Sequence, residues 1–288
     1  MKIHLAGSEA FTSHPKIKYE FHQNYLTTFA HFINRKSQKE KVDKIKLHNL
    51  LNNCVILDSG AFSKATNKVK FELYDYVGFL KEYGGQFDIY MNLDDVILEE
   101  YPSEERIKKS IDYTTNSLNI LEKEGLKPIP VYQKKWNRFD ILINYLERYK
   151  YISLGGLVTG KPNTSHLLIP FLDEVFKLNE KYKVKIHGLG VTADICLKRY
   201  PFYSVDSTSW LQGGKSNSCY FNNMDKYESI CINDGIFYQK CISPNLFDNP
   251  YHQGSNYPER LNQNIRFFNQ YERILTELWK QRGIEWNN

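Results

Sequence analysis

Residues 204–210, Ser204-Val205-Asp206-Ser207-Thr208-Ser209-Trp210, put an aspartate at the end of a short apolar run, and that placement decides how the chain is read. Pro201-Phe202-Tyr203-Ser204-Val205 reads as a short buried strand, aromatic and β-branched, with Asp206 at its carboxyl end. In parallel α/β folds that end carries the chemistry. A carboxylate there serves as nucleophile, as base, or as the N-cap of the next helix, and Asp, Ser and Thr are all good caps. The argument beyond a cap is that the same arrangement recurs along the chain.

Cys54-Val55-Ile56-Leu57 ends in Asp58-Ser59-Gly60-Ala61-Phe62, and the apolar run 87–93 ends in Asp94-Asp95. Further strands are expected at residues 2–6, at 128–133 ending in Gln133, at 151–154 leading into Gly155-Gly156-Leu157, and at 184–186 leading into His187-Gly188-Leu189-Gly190. Helices are expected between them. Phe21, Tyr25, Leu26, Phe29, Phe32 and Ile33 recur at helical spacing and predict a helix over 19–33. Others follow at 71–80 before Gly84-Gly85, from the cap Ser103 to about residue 124 before Gly125, and at 139–149, 166–182 and 193–199. Strand and helix alternate seven times with short connections, which predicts parallel βα units and a (β/α)8 TIM-type barrel. The eighth strand is expected in residues 229–232 or 235–238, and an apolar helical stripe over 258–281 reads as a closing helix. With no Pro-, Gly- or Ser-rich linker and no fixed-period repeat, residues 1–288 read as a single domain.

Composition narrows the class. The 288 residues are 41% hydrophobic and 25% charged, ordinary for a globular protein, and the 21 Tyr and 17 Phe make it aromatic-rich. A net charge of +5 is compatible with a polyanionic partner without demanding one. The basic stretch Arg35, Lys36, Lys39, Lys41, Lys44 and Lys46, opposed only by Glu40 and Asp43, reads as a solvated face or a phosphate contact. No apolar run has the length of a membrane span and the first residues lack a signal-peptide core, so a cytoplasmic protein with no membrane partner is expected. The five cysteines are odd in number and scattered, with no CxxC, so neither a disulfide framework nor a metal site nor any cofactor is expected.

In a barrel the strand ends converge on one mouth, here Asp58, Asp94 or Asp95, Gln133, Gly155-Gly156, His187 and Asp206. Carboxylates facing one another raise each other's pKa, so at least one is poised for proton transfer. An acid beside a nucleophilic acid is the arrangement for cleaving and remaking a glycosidic bond through a covalent intermediate. Gln133 can donate and accept, and Gly156 exposes backbone polar groups, which suits a flat purine-like base. Bland readings compete: a cap for Asp58, a cap or supporting role for Asp95, packing for His187, and rim cover in place of base stacking for Trp136 and Trp210.

These motifs resemble those of the tRNA-guanine transglycosylases and their relatives that insert 7-deazaguanines into DNA. DSGAF at 58–62 is similar to the family's DSGGF or DSGGY, LDD at 93–95 to its FDE, and VYQ at 131–133 to its VQG. GGLVTGK at 155–161 is similar to GGLAVGE, HGLGVT at 187–192 to LMGVGTP, and SVDSTSW to the stretch that carries the nucleophile. The resemblance spans roughly residues 55–215. It implies that Asp206 attacks C1′ of the target guanosine and that Asp58 acts as general acid and base. It further implies that Asp94 with Asp95 and Gln133 reads the base edge, and that Gly155, Gly156, Leu157 and His187 line the base pocket. Thr208, Trp210 and Lys215 then fall where the family grips nucleic acid. The chain lacks the family's CxCxxC-plus-His zinc site and reads STSWLQGGK where the tRNA enzymes have PTR. Those departures favour the compact, zinc-less DNA-modifying branch found in phages and defence islands. The implied partners are DNA in preference to tRNA and a 7-deazaguanine base such as preQ0, with a homodimer or an accessory protein compatible. The alternatives are a tRNA-guanine transglycosylase, a hydrolase of the same bond, and a non-catalytic nucleic-acid-binding subunit.

Overall fold

A computed structural model describes residues 1–7, 24–34, 37–49, 54–158, 165–211, 218–223, 226–231 and 257–286. Its centre is an eight-stranded, all-parallel curled sheet: β1 (Lys2–Ala6), β2 (Asn24–Thr28), β3 (Cys54–Asp58), β4 (Ile89–Tyr90), β5 (Val131–Gln133), β6 (Tyr151–Gly155), β7 (Lys185–Gly188) and β8 (Ser204–Ser207). The order across the sheet is β4-β3-β2-β1-β8-β7-β6-β5. The first and last strands in sequence are therefore neighbours, with Lys2 opposite Ser204 and His4 opposite Asp206. Helices connect the strands: α1 (Gln38–Asn49), α2 (Ala61–Ala65), α3 (Leu73–Tyr83), α4 (Glu104–Lys123), α5 (Phe139–Arg148), α6 (Ile169–Tyr182) and α7 (Asp194–Leu197), with α8 (Tyr257–Gln281) after a separate antiparallel hairpin β9 (Ser218–Asn223) and β10 (Lys226–Cys231). None of the described helices is long and apolar enough to cross a membrane.

Strand alternation sorts the core into two. Ala6, Leu26, Ile56, Met91 and Val131 form a small cluster on the concave face, whereas Leu5, Tyr25, Leu57, Leu154 and Val205 belong to the larger one shared with the helices. At the two sheet edges, Met91 and Ile129 make a parallel bridge between the end of β4 and the approach to β5. The Ile129 N–H donates to the Tyr90 carbonyl at 2.9 Å and the Asn92 N–H to the Ile129 carbonyl at 3.1 Å. Asn92, fully buried, continues the seam with its side chain: Oδ1 accepts the Val131 N–H at 2.7 Å and Nδ2 donates to the Thr114 carbonyl of α4 at 3.3 Å. At the opposite end of the strands Glu272 of α8 accepts the Ile3 N–H at 2.7 Å and the Asn24 amide at 2.8 and 3.0 Å.

Local signals place the helices. Ser103 caps α4 by accepting the Arg106 N–H at 3.2 Å, and Gly125 follows its end at φ +78°. Two expectations are corrected. The helix over 19–33 is overturned at residues 24–28, which form β2, and residues 19–23 lie outside the described ones. Tyr25 faces the helices and Leu26 the concave side, so both faces are buried, and a 3-10 turn over Phe29–Phe32 completes a spacing that imitates a helix. The eighth strand is thus this early one. Residues 229–231 belong to the hairpin, and 232 and 235–238 lie outside the described residues.

Replacing Asn92 with Ala leaves the Val131 amide without its acceptor in a dry seam. We expect a loss of about 1–3 kcal/mol in urea unfolding, against little change for Asn116→Ala on a cleft wall; equal losses would remove Asn92 from the seam.

Candidate active site

Three acids reach the carboxyl ends of the strands from different elements. Asp206 is the third residue of β8, and alternation turns it with Ser204 to the concave face while Val205 enters the outer core. The residue is 7% exposed. Its Oδ1 accepts the Gly190 N–H at 3.0 Å and lies 3.1 Å from His187 Nε2, which leaves Oδ2 without a hydrogen bond among the described residues.

Asp58 ends β3, with β2 and β1 between it and β8. Its Oδ2 accepts the Gly60 N–H at 3.0 Å. That turn needs glycine: φ is +79°, and a Cβ there would lie 3.0 Å from the Ala30 nitrogen. Burial pushes the Asp58 carboxyl above the usual carboxylate range and the Asp206 charge adds to it, against the opposing Gly60 amide and Thr28 hydroxyl.

Asp94 follows β4 and is also 7% exposed. Its Oδ2 accepts the amide of Gln133 at the end of β5, and the Ser59 hydroxyl reaches Oδ1 at 3.5 Å. Burial, then the charge of Asp58, pushes Asp94 up to about 7, with the Gln133 amide working against both. The glycine pair explains how Gln133 fits: a Cβ on Gly155 would lie 2.5 Å from its Nε2, and one on Gly156, at φ +72°, 3.0 Å from its Oε1. A long amide in that space, locked to Asp94, presents a fixed pattern of donor and acceptor.

Other expected residues go elsewhere. Asp95 turns to α4, where Arg106 holds both carboxylate oxygens at 2.6 and 3.1 Å and Thr114 accepts the Asp95 N–H at 3.0 Å; the residue pins the loop. Leu157 buries its side chain in the outer core. His187, fully buried, spends its nitrogens on Asp206 and Ser204 and lies under the acid with no edge for a base. Trp210 is fully buried, its indole N–H donating to the Ala6 carbonyl at 2.8 Å, so it packs the core where base stacking was expected. Trp136 is likewise buried, with its indole on the Ser110 hydroxyl at 2.9 Å. Thr208 is exposed just after β8, and Lys215 lies outside the described residues.

Sequence reasoning passed over Ser204, Gly190, Thr28 and His4. Ser204 and His4 show in the inward phase of their strands, two residues from Asp206 and opposite it in register. An open cleft of about 990 Å³ beside Asp94 and Asp95 sets Lys64, Lys108 and Lys109 against Glu105 and Asp112. Neither Asp58 nor Asp206 lines it, and its mixed charges give no net attraction for a polyanion. Among the described residues no three His, Cys, Asp or Glu side chains gather as metal ligands. A scan against protein-family models and a search of curated proteins each found no match to the chain.

The raised Asp94 carboxyl ties stability to pH. Between the unfolded value of 3.8 and about 7 the folded state keeps a proton that the unfolded chain gives up. Stability from this group is therefore whole below 3.8 and lost as pH rises through about 7. Asp94→Asn removes that loss. We expect the variant to be more stable than the parent at about pH 8, by at most about 4 kcal/mol, with the gap closing at about pH 4. Melting curves at both pH values check this, and a gap independent of pH would contradict the assignment.

Proposed function

We propose that this chain is a base-exchange glycosyltransferase that replaces guanine in a nucleic acid, DNA in preference to tRNA, with a 7-deazaguanine such as preQ0. The observation that carries the reading is the gathering of Asp58, Asp206 and the hydrogen-bonded Asp94–Gln133 pair at the carboxyl ends of strands of one parallel sheet. Within this reading the sheet closes into a (β/α)8 barrel of one domain, supported by the Met91–Ile129 bridge and the Asn92 side chain across its two edges.

In the first half-reaction Asp206 Oδ2 donates an electron pair to C1′ as the C1′–N9 bond breaks. The departing base takes a proton from Asp58, whose raised pKa keeps one available. In the second half, Asp58 accepts a proton from the incoming base, whose nitrogen attacks C1′ and returns the electron pair to Asp206. Asp94 in its ionised form accepts the N–H groups of the base's Watson–Crick edge, and Gln133 supplies the amide beside it. Discrimination by buried hydrogen-bonding groups is steep, because a base lacking the match leaves them unpaired. A base inside a duplex must first leave its stack, at a cost of a few kcal/mol.

The test is incorporation of labelled guanine, and separately of labelled 7-deazaguanines, into matched DNA and tRNA by the purified protein. We expect label in DNA, more in single-stranded or mismatched sites than in perfect duplex, and no protein–nucleic acid adduct on denaturing gels for Asp206→Asn. Label in tRNA alone would move the substrate. Continuous release of guanine with no incoming base would make the protein a hydrolase, and no label with retained binding would make it a non-catalytic subunit.

A further inference from the structure

Below Asp206 the concave face carries a line of polar side chains that the exchange chemistry does not itself use. His187 Nδ1 lies 2.6 Å from the Ser204 hydroxyl, and that hydroxyl also meets the phenol of Tyr151. With His187 Nε2 at 3.1 Å from Asp206 Oδ1, the line runs Tyr151–Ser204–His187–Asp206 through β6, β8, β7 and back to β8. Tyr151 and Ser204 are the first residues of their strands and Asp206 stands near the mouth, so the line traverses much of the sheet's height. His187 and Ser204 are fully buried. The His4 ring approaches the His187 ring edge-on with centroids 5.9 Å apart, and His4 Nδ1 is 3.2 Å from the Tyr25 carbonyl.

The protons along this line can be ordered by counting. A carboxylate only accepts, so with Asp206 ionised the proton of a neutral His187 is on Nε2. Nδ1 is then an acceptor and takes the Ser204 hydrogen, and the Ser204 oxygen takes the hydrogen of Tyr151. Burial holds the Tyr151 phenol protonated by pushing it far above its ordinary range. Every donor then points toward Asp206. Both donors to the acid, His187 Nε2–H and the Gly190 N–H, meet Oδ1, so Oδ2 alone is left for bond formation. When Oδ2 becomes the ester oxygen of the covalent intermediate, Oδ1 becomes its carbonyl and keeps both donors.

We propose that Tyr151 and Ser204 are positioning residues that lock the His187 ring in place through Nδ1, and that the locked imidazole, its Nε2–H on Oδ1, holds Asp206 with Oδ2 turned to the mouth. The lock stands on geometry alone; its kinetic consequence rests on the base-exchange reading above.

The lock is read from the imidazole nitrogens by two-bond ¹⁵N–¹H correlation on histidine-labelled full-length protein, with the signal among the 8 histidines assigned through His187→Gln. At about pH 8 we expect a single Nε2–H pattern for His187. Ser204→Ala is expected to keep the Nε2–H that Asp206 dictates but to move the Nδ1 resonance to that of an imidazole nitrogen accepting no hydrogen bond and to broaden the ring signals, and Ser204→Thr to restore the parent spectrum. Tyr151→Phe, which keeps the ring packed against Tyr203, serves as a second variant should Ser204→Ala fail to fold, and is expected to shift Nδ1 in the same direction. An Nδ1–H or doubly protonated His187 in the parent, or an unchanged Nδ1 resonance in the variants, would overturn the lock. In the exchange assay Ser204→Ala is expected to lower kcat by at least about tenfold with KM little changed. A protein that exchanges no base but shows the expected spectra would sink the function and keep the lock.

Discussion

A carboxylate taken out of water needs dipoles already aimed at it, and the mouth of this sheet is arranged around that demand. Asp206 is met by a backbone amide and an imidazole on one oxygen, Asp58 by the Gly60 amide, and Asp94 by the Gln133 side chain. Each donor comes from a different strand end or turn. No single element could satisfy one acid and still leave an oxygen toward the opening. The order β3-β2-β1-β8 sets two strands between Asp58 and Asp206, far enough that they are not bonded and near enough that the charge of Asp206 reaches Asp58. A parallel sheet supplies this at little conformational cost, since its carboxyl ends all open on one side.

The three acids are held in three different ways. Asp206 has two fixed donors on one oxygen. Asp58, half-buried, has one amide and one hydroxyl against the charge of Asp206. Asp94 is buried beside the charge of Asp58, with the Gln133 amide opposing both, and rises to about 7. Pairs of titratable groups whose surroundings push them apart are how one fold keeps an acid and a base at the same pH. Gln133 holds the third of the acids. Its place depends on the absence of two methyl groups, at Gly155 and Gly156, on the adjoining strand end.

The sequence made the acids legible because each one interrupts an apolar run, and a charge at the end of a buried strand has few structural uses. The parallel character of the sheet was legible for the same reason: runs buried on both faces, separated by helical spacing and glycine stops. β2 escaped because burial on both faces erases the alternation that marks a strand, and Phe29 and Phe32 in the turn behind it restored a helical rhythm. Gly155 and Gly156 were read for the room they leave a flat ligand, and the neighbour that sequence did not show to need that room is Gln133 on β5. Trp210 illustrates the opposite error: an aromatic beside polar residues looks exposed in sequence, yet the Ala6 carbonyl gives its N–H a buried partner. Ser204 and Tyr151 passed as strand residues because a hydroxyl reveals its partner only when strands are laid side by side.

The position of β1 between β2 and β8 has a consequence for biosynthesis. Emerging from the ribosome, Lys2–Ala6 can pair on one side with Asn24–Thr28 early, but the other side waits for Ser204–Ser207, and the Ile3 amide waits for Glu272. Through most of translation the nascent sheet therefore carries an open, apolar edge of the kind that recruits foreign strands. Contacts so distant in sequence form slowly once the chain is complete. An edge of this kind is where a nascent chain aggregates first, and it is the surface that a holdase chaperone would have to shield until β8 is made.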